Sequence, residues 1–530
     1  MRWLQLWFVF SLCSIRPEAA GAAESVLARY HFAGSAKLGS DTNASKLQTL
    51  ASLPETKTLR FELVQKIARS AAALISEHAG TSMETVPLLS TLLNDFLAAE
   101  SHGQITAAGK SYEFAVGIHL APDRIPFWET NLIKIFTASR SAMLTPLAGS
   151  EKGWEATFAA SPASVRFQRA GKFLIVRWSD RTLGAENGLV TRMQKQDRSL
   201  AFTGNEWLDA DLDWPRLEKW LPVDRFVKPA RLRVGLSSRA GDVRTSVKAT
   251  YAEPIGWKFV PWAMPTNLIR EPLVGFTAAQ SLSSFVNPPP QLLQAGLNPF
   301  TNQIFSWSLS SAPFQSFILL QRAEAERELK KLSITLPSTF NPILARGKTG
   351  ELQWDTNHSA LVWRGLPLIV PSLRVERDGR SRFLSMSLFP AITSSNSPPA
   401  ELIAQVVTRT NLVYYDWEIT QARIGHWRVM SKMPFLNLSA GATNMVTAMS
   451  PDGKLALAVE KWLSAVTPLL GNAITEATVS GPRELSMVRR SHLGLTGFEM
   501  VALGSWISSP SPLKAGYRPR SSAPPAPPRR

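Results

Sequence analysis

The segment Trp207–Trp220, WLDADLDWPRLEKW, recurs in outline at Tyr414–Trp427, YYDWEITQARIGHW. At a fixed offset of 207 residues, Asp209 meets Asp416, Asp211 meets Glu418, Arg216 meets Arg423 and Trp220 meets Trp427. Both copies lead from a strand-like alternation into a helix-like one. A looser pair, Gly171–Leu174 and Ser381–Leu384, lies at a similar offset. Self-similarity across half a chain is the signature of a duplicated unit, and it limits the folds open to the sequence. It predicts two similar α+β halves, 24–265 and 266–507, each of domain size. The halves are expected to pack about a pseudo-twofold axis, with a groove or a shared core between them.

Hydrophobic periodicity fills in each half. Leu63, Ile67, Ala71 and Leu74 recur at helical spacing, and Leu88–Ala99 and Leu455–Leu469 read the same way. Tyr112, Phe114, Val116 and Ile118 alternate with Glu113, Ala115, Gly117 and His119, which is the period of a strand. Further alternating runs at 154–178, 231–251, 305–320, 352–389, 412–418 and 474–490 are broken by single helices. Runs of strands interrupted in this way indicate the α+β class, with mostly antiparallel sheets and packed helices.

The first 23 residues have Arg2, an apolar run from Trp3 to Ile15 and small residues at Ala20-Gly21-Ala22, the pattern of a secretory signal peptide. The run is shorter than the roughly 20 residues that a spanning helix needs. The expected destination is a periplasm or the cell exterior, with no transmembrane span in the mature chain. Cys13, the sole cysteine, lies in that leader, so disulfides and thiolate chemistry are not expected. From 508 to 530 the chain is rich in proline and arginine and has no acid, as a disordered tail would. The net charge is +17, and +11 without leader and tail. Such a surplus suits an anionic envelope component or a polysaccharide. The basic residues are scattered, which argues against specific nucleic-acid recognition.

The residues best placed for chemistry are carboxylates. Alternation sets Asp209, Asp211 and Asp213 on one strand face, and Asp416 and Glu418 on another. Such a ladder could collect a hard divalent cation. The favoured reading is a structural charge ladder, with Arg231 and Arg233 pairing across the sheet and Arg216 and Arg423 clamping the acids, ahead of metal binding or general acid/base chemistry. These seven residues, Asp209, Asp211, Asp213, Asp416, Glu418, Arg216 and Arg423, are the candidate binding set. The seven histidines are dispersed, and no two have metal-ligand spacing on a helix. No nucleophile elbow or phosphate loop occurs. No catalytic residue, metal ligand or cofactor is therefore assigned.

The stretches Asn411–Glu418, Pro265–Ile269 and Ser491–Glu499 resemble an uncharacterised family of exported bacterial proteins of verrucomicrobial type. The resemblance covers most of the chain short of the tail and implies no activity. The expectation is a non-catalytic exported scaffold acting by binding or envelope association. The alternative is a hydrolase or metal-dependent enzyme with its site between the halves.

Overall fold

A computed structural model describes residues 25–79, 85–108, 111–138, 142–147, 153–158, 161–179, 188–195, 205–217, 229–281, 303–310, 316–366, 369–388, 396–431 and 453–508. The predicted leader and tail lie outside these residues.

Ten strands come from the first half of the chain: β1 (Ser25–Phe32), β2 (Ser101–Ala108), β3 (Ser111–His119), β4 (Ala142–Pro146), β5 (Gly153–Phe158), β6 (Ser161–Ala170), β7 (Phe173–Ser179), β8 (Leu208–Leu212), β9 (Arg231–Arg239) and β10 (Asp242–Thr250). Ten more come from the second: β11 (Leu273–Gln280), β12 (Gln303–Leu309), β13 (Ser316–Gln321), β14 (Glu351–Asp355), β15 (Ala360–Arg364), β16 (Ser372–Asp378), β17 (Ser381–Ser387), β18 (Leu412–Ile419), β19 (Asn472–Gly481) and β20 (Glu484–Ser491). All twenty join one sheet, and every pairing among the described residues is antiparallel.

From its outer edge the first half runs β4-β5-β6-β7-β3-β2-β1-β8-β9-β10. The second runs β14-β15-β16-β17-β13-β12-β11-β18-β19-β20. The two series meet where β10 pairs with β20, Val243 opposite Ser491 through Thr250 opposite Glu484. The fold is thus α+β, with a single sheet crossing the whole molecule in place of separate sheets.

The helices among the described residues are α1 (Ser35–Ser40), α2 (Ser45–Ser52), α3 (Pro54–Ala79), α4 (Val86–Ala98), α5 (Arg124–Thr137), α6 (Gly188–Gln194), α7 (Trp214–Leu217), α8 (Ala325–Gly347), α9 (Ala400–Val407), α10 (Thr420–Ser431), α11 (Gly453–Val466) and α12 (Gly497–Ser508). Their inward stripes explain their placement. On α5, Ile125, Trp128, Leu132, Ile135 and Phe136 recur at three- and four-residue spacing and cover Val116, Ile118, Phe167 and Leu174. α8 covers Leu320, Leu373 and Leu384 on the same side of the second half. It runs on to Gly347 because Leu344 is also buried, despite Pro337 and Pro342 inside it.

The opposite face is covered by α6 in the first half and α9 in the second. The two covered layers differ in composition. Under α9 lies an aromatic core of Phe276, Phe305, Trp307, Phe317, Phe383 and Tyr415. Under α6 the sheet presents His102, Gln104, Glu113, Arg177 and Asp209, all buried, beside Ile175 and Phe173. The same strand order carries an apolar layer in one half and a polar layer in the other.

Candidate metal centre

The polar layer is assembled by strand pairing. β1 lies between β2 and β8, with His31 directly opposite His102 on one side and Asp209 on the other. β3 flanks β2 and ends at His119. Glu100 stands just before β2, and its carbonyl accepts the His119 N–H at 2.9 Å. Two glycines permit the close approach. Gly34 has φ +85°, and a Cβ there would meet the backbone of Ala98–Glu100 at 2.5–2.9 Å, so the chain leaving β1 can press against the Glu100 backbone. Gly103 leaves room for the Tyr30 ring, which a Cβ would strike at 1.9 Å.

Three imidazoles converge on the Glu100 carboxylate. His31 Nε2 is 3.3 Å and His102 Nε2 3.4 Å from Oε1, and His119 Nδ1 is 3.4 Å from Oε2. Candidate ligand atoms of His31, Glu100 and His102 all lie within 4.8 Å of one another. Nitrogen and oxygen ligands roughly 2.1 Å from a tetrahedral ion stand about 3.4 Å apart, so these spacings suit a zinc-like ion. His31 Nδ1 faces Asp209 Oδ2 at 3.8 Å, the arrangement in which a carboxylate orients a ligating imidazole.

Burial and charge favour the neutral, ligating form of His102, whereas the carboxylates beside His31 favour its protonated form, from which a metal would have to displace the proton. His102 is fully buried, and burial lowers its pKa against the hydrogen bond to Glu100, with Arg192 on α6 adding to the depression through its charge. Burial would also lower the His31 pKa, but Asp209 and Glu100 outweigh it and raise the pKa overall. Among the described residues, His102 Nδ1 and Asp209 Oδ1 are buried without a hydrogen-bond partner. Buried polar atoms are seldom left unpaired, and an ion or water is among the partners that would complete them. Phe173 closes the inner wall, edge-on to His102 at 5.7 Å and tilted against His119 at 5.2 Å.

The sequence-derived set is dispersed by the fold. Asp209 joins the histidine cluster. Asp211 accepts from Arg231 Nε at 2.6 Å and lies 3.9 Å from Arg233, and Asp213 lies 3.5 Å from Arg216. Asp211 thus belongs to an arginine ladder on the sheet, while Asp213 lies past the end of β8 and pairs with Arg216 on α7, off the strand face expected for it. In the second half Asp416 accepts from Thr277 Oγ1 at 2.7 Å, and Glu418 accepts from the Gly497 N–H at 2.6 Å. Arg423 donates to Ser308 Oγ at 2.8 Å and acts on both acids at longer range through its charge.

The offset of 207 needs correction. Asp209 and Asp211 point to the face carrying α6. Asp416 and Glu418 point to the face carrying α10 and α12, while their strand neighbour Tyr415 faces α9 and donates to Gln405 on it. A shift of one residue moves every side chain of a strand to the other face. The acids that align in sequence therefore have unlike surroundings.

His31, Glu100, His102 and His119 were not anticipated as a group. Their signal was the polar phase His102, Gln104, Thr106 of β2, hidden because neither β1 nor β2 was read as a strand. No protein-family model, no curated protein and no solved structure matches this chain.

Proposed function

We propose that this is an exported metal-binding protein, in which a duplicated frame keeps one half as a packed scaffold and uses the other to hold a divalent ion of the zinc class. His31, Glu100 and His102 supply the ligands, His119 lies within reach of Glu100, and Asp209 orients His31. The observation that carries the reading is the convergence of three imidazoles from adjacent strands on one carboxylate, with buried polar atoms left unsatisfied beside them.

The duplication is supported by the strand order and by register. Setting Asp209 against Tyr415, one residue out of the sequence phase, and carrying the pairings outward places His31 on Ala278, His102 on Phe305 and Phe173 on Phe383. The same phase maps Arg231–Arg239 onto 472–480, where β19 spans Asn472–Gly481. It maps the pair Ser246–Val488 onto itself, where a twofold axis normal to the sheet would pass. Ring geometry agrees: His102 meets Phe173 at 75° and Phe305 meets Phe383 at 76°.

Metal-dependent hydrolysis is the second reading, favoured by access. The His31 and His119 side chains keep 18% and 34% exposure, so the cluster is open on one side, as zinc sites that keep a position for water are. This places the alternative inside the first half and not between the halves.

Elemental analysis of the full chain, followed by titration of the chelated protein with Zn²⁺ and Co²⁺, tests the proposal. One ion per chain, with a tetrahedral Co²⁺ spectrum lost in His31→Ala and His102→Ala, is expected. No bound ion and no change in melting temperature on adding either metal would remove it.

A further inference from the structure

A second site lies in the helical layer, on elements that carry none of the histidine cluster. A cleft of about 490 Å³, partly open to solvent, is lined by α1–α4, α11, α12 and the turn before α12. Its wall is apolar, with Leu38, Leu59, Leu63, Leu97, Trp462 and Leu503 prominent. Protein interiors have few voids larger than a water molecule. An apolar cavity of about 150 Å³ already binds benzene, and small-molecule pockets span about 300–1,000 Å³.

The polar part of the wall is cationic. Arg60 and Lys57 on α3 both line the cavity. Arg60 is partly buried and has no hydrogen-bond or ion-pair partner among the described residues, and burial lowers its pKa. Desolvating a guanidinium without a carboxylate costs free energy that an incoming anion would recover.

We infer that this cavity binds a single-chain anionic amphiphile, its acyl chain among the leucines and its carboxylate at Arg60. Charge complementarity selects this ligand over a neutral one: the wall is mostly apolar and carries Arg60 and Lys57, with no acidic residue. The assignment stands apart from the metal proposal, and either can fail alone.

Displacement of dansylated undecanoate from the full chain, stripped of lipid on a hydrophobic resin, tests it. Laurate, myristate, palmitate and cetyl alcohol serve as competitors. Stoichiometric displacement is expected, tightening about fourfold per added methylene until the cavity is filled. Arg60→Gln should weaken the carboxylates roughly tenfold and leave cetyl alcohol unchanged. Ala51→Phe, which fills the cavity from an exposed lining position, should block both classes while the melting temperature is kept. No displacement, no dependence on chain length, or equal loss of acid and alcohol in Arg60→Gln would overturn the inference.

Discussion

His102 meets the ring of Phe173 edge-on at 5.7 Å, in the place where the other half of the sheet sets Phe305 against Phe383 at 6.3 Å. In the same strand order, the first half of the sheet thus carries an imidazole where the second carries a phenyl ring. The polar member leaves Nδ1 buried and unpaired. His102→Phe should therefore keep the fold and abolish metal binding. Removing the unpaired atom offsets the added bulk, so the unfolding free energy of the metal-free protein should change by no more than about 1–2 kcal/mol. Denaturant unfolding with and without Zn²⁺ checks both parts. Wild type should gain about 2.7 kcal/mol at a hundredfold excess of Zn²⁺ over Kd, and the variant should gain nothing.

Asp209 Oδ2 lies 3.8 Å from His31 Nδ1, behind the imidazole whose Nε2 faces Glu100 at 3.3 Å. Asp209→Asn should keep one ion per chain and lower Zn²⁺ affinity by roughly 10–100-fold, the usual cost of losing a carboxylate behind a ligating histidine. A competition titration against a chromophoric chelator measures it. An unchanged affinity would mean that Asp209 has no part in orienting His31.

Much of the fold was legible because hydrophobic period reports burial directly. The helices at 54–79, 86–98 and 453–466 and the strands at 111–119, 231–250 and 472–491 follow their apolar stripes. β1 and β2 were not legible. Leu27, Ala28, Tyr30 and Phe32 are all buried, so β1 shows no clean alternation. The site was lost with them, since His31 and His102 are 71 residues apart in sequence and meet only through β1–β2 pairing around four inserted helices. Trp207–Trp220 resembles Tyr414–Trp427 in sequence, but residue type says nothing about facing: Asp209 aligns with Asp416, whereas Tyr415 is the residue of β18 that faces α9 as Asp209 faces α6.

Arg177 and Glu113 form a buried pair across β7 and β3, with Nε and Nη2 at 3.0 and 2.6 Å from one carboxylate oxygen. Replacing one partner strands a charge under α6. Arg177→Met alone should cost about 3–5 kcal/mol, while Arg177→Met with Glu113→Leu should recover most of that loss. A double-mutant cycle in urea gives the coupling, and additive effects would show that the pair contributes no net interaction.

Glu418 is buried at the N-terminus of α12, where its Oε1 accepts the Gly497 N–H at 2.6 Å. Burial raises its pKa, against the lowering effect of that hydrogen bond. The folded protein therefore holds this proton more tightly than the unfolded chain does. Ionised Glu418 detracts from stability above the folded pKa, and the penalty disappears as pH falls through it. A glutamine keeps the acceptor and carries no charge. Glu418→Gln should melt higher than wild type at pH 8, with the difference shrinking toward zero as pH is lowered past the raised pKa. Melting temperatures of the two proteins across pH 4–8 decide it: a gap that is constant or that widens toward acid would show that the carboxylate is stabilised in the fold by its neighbours.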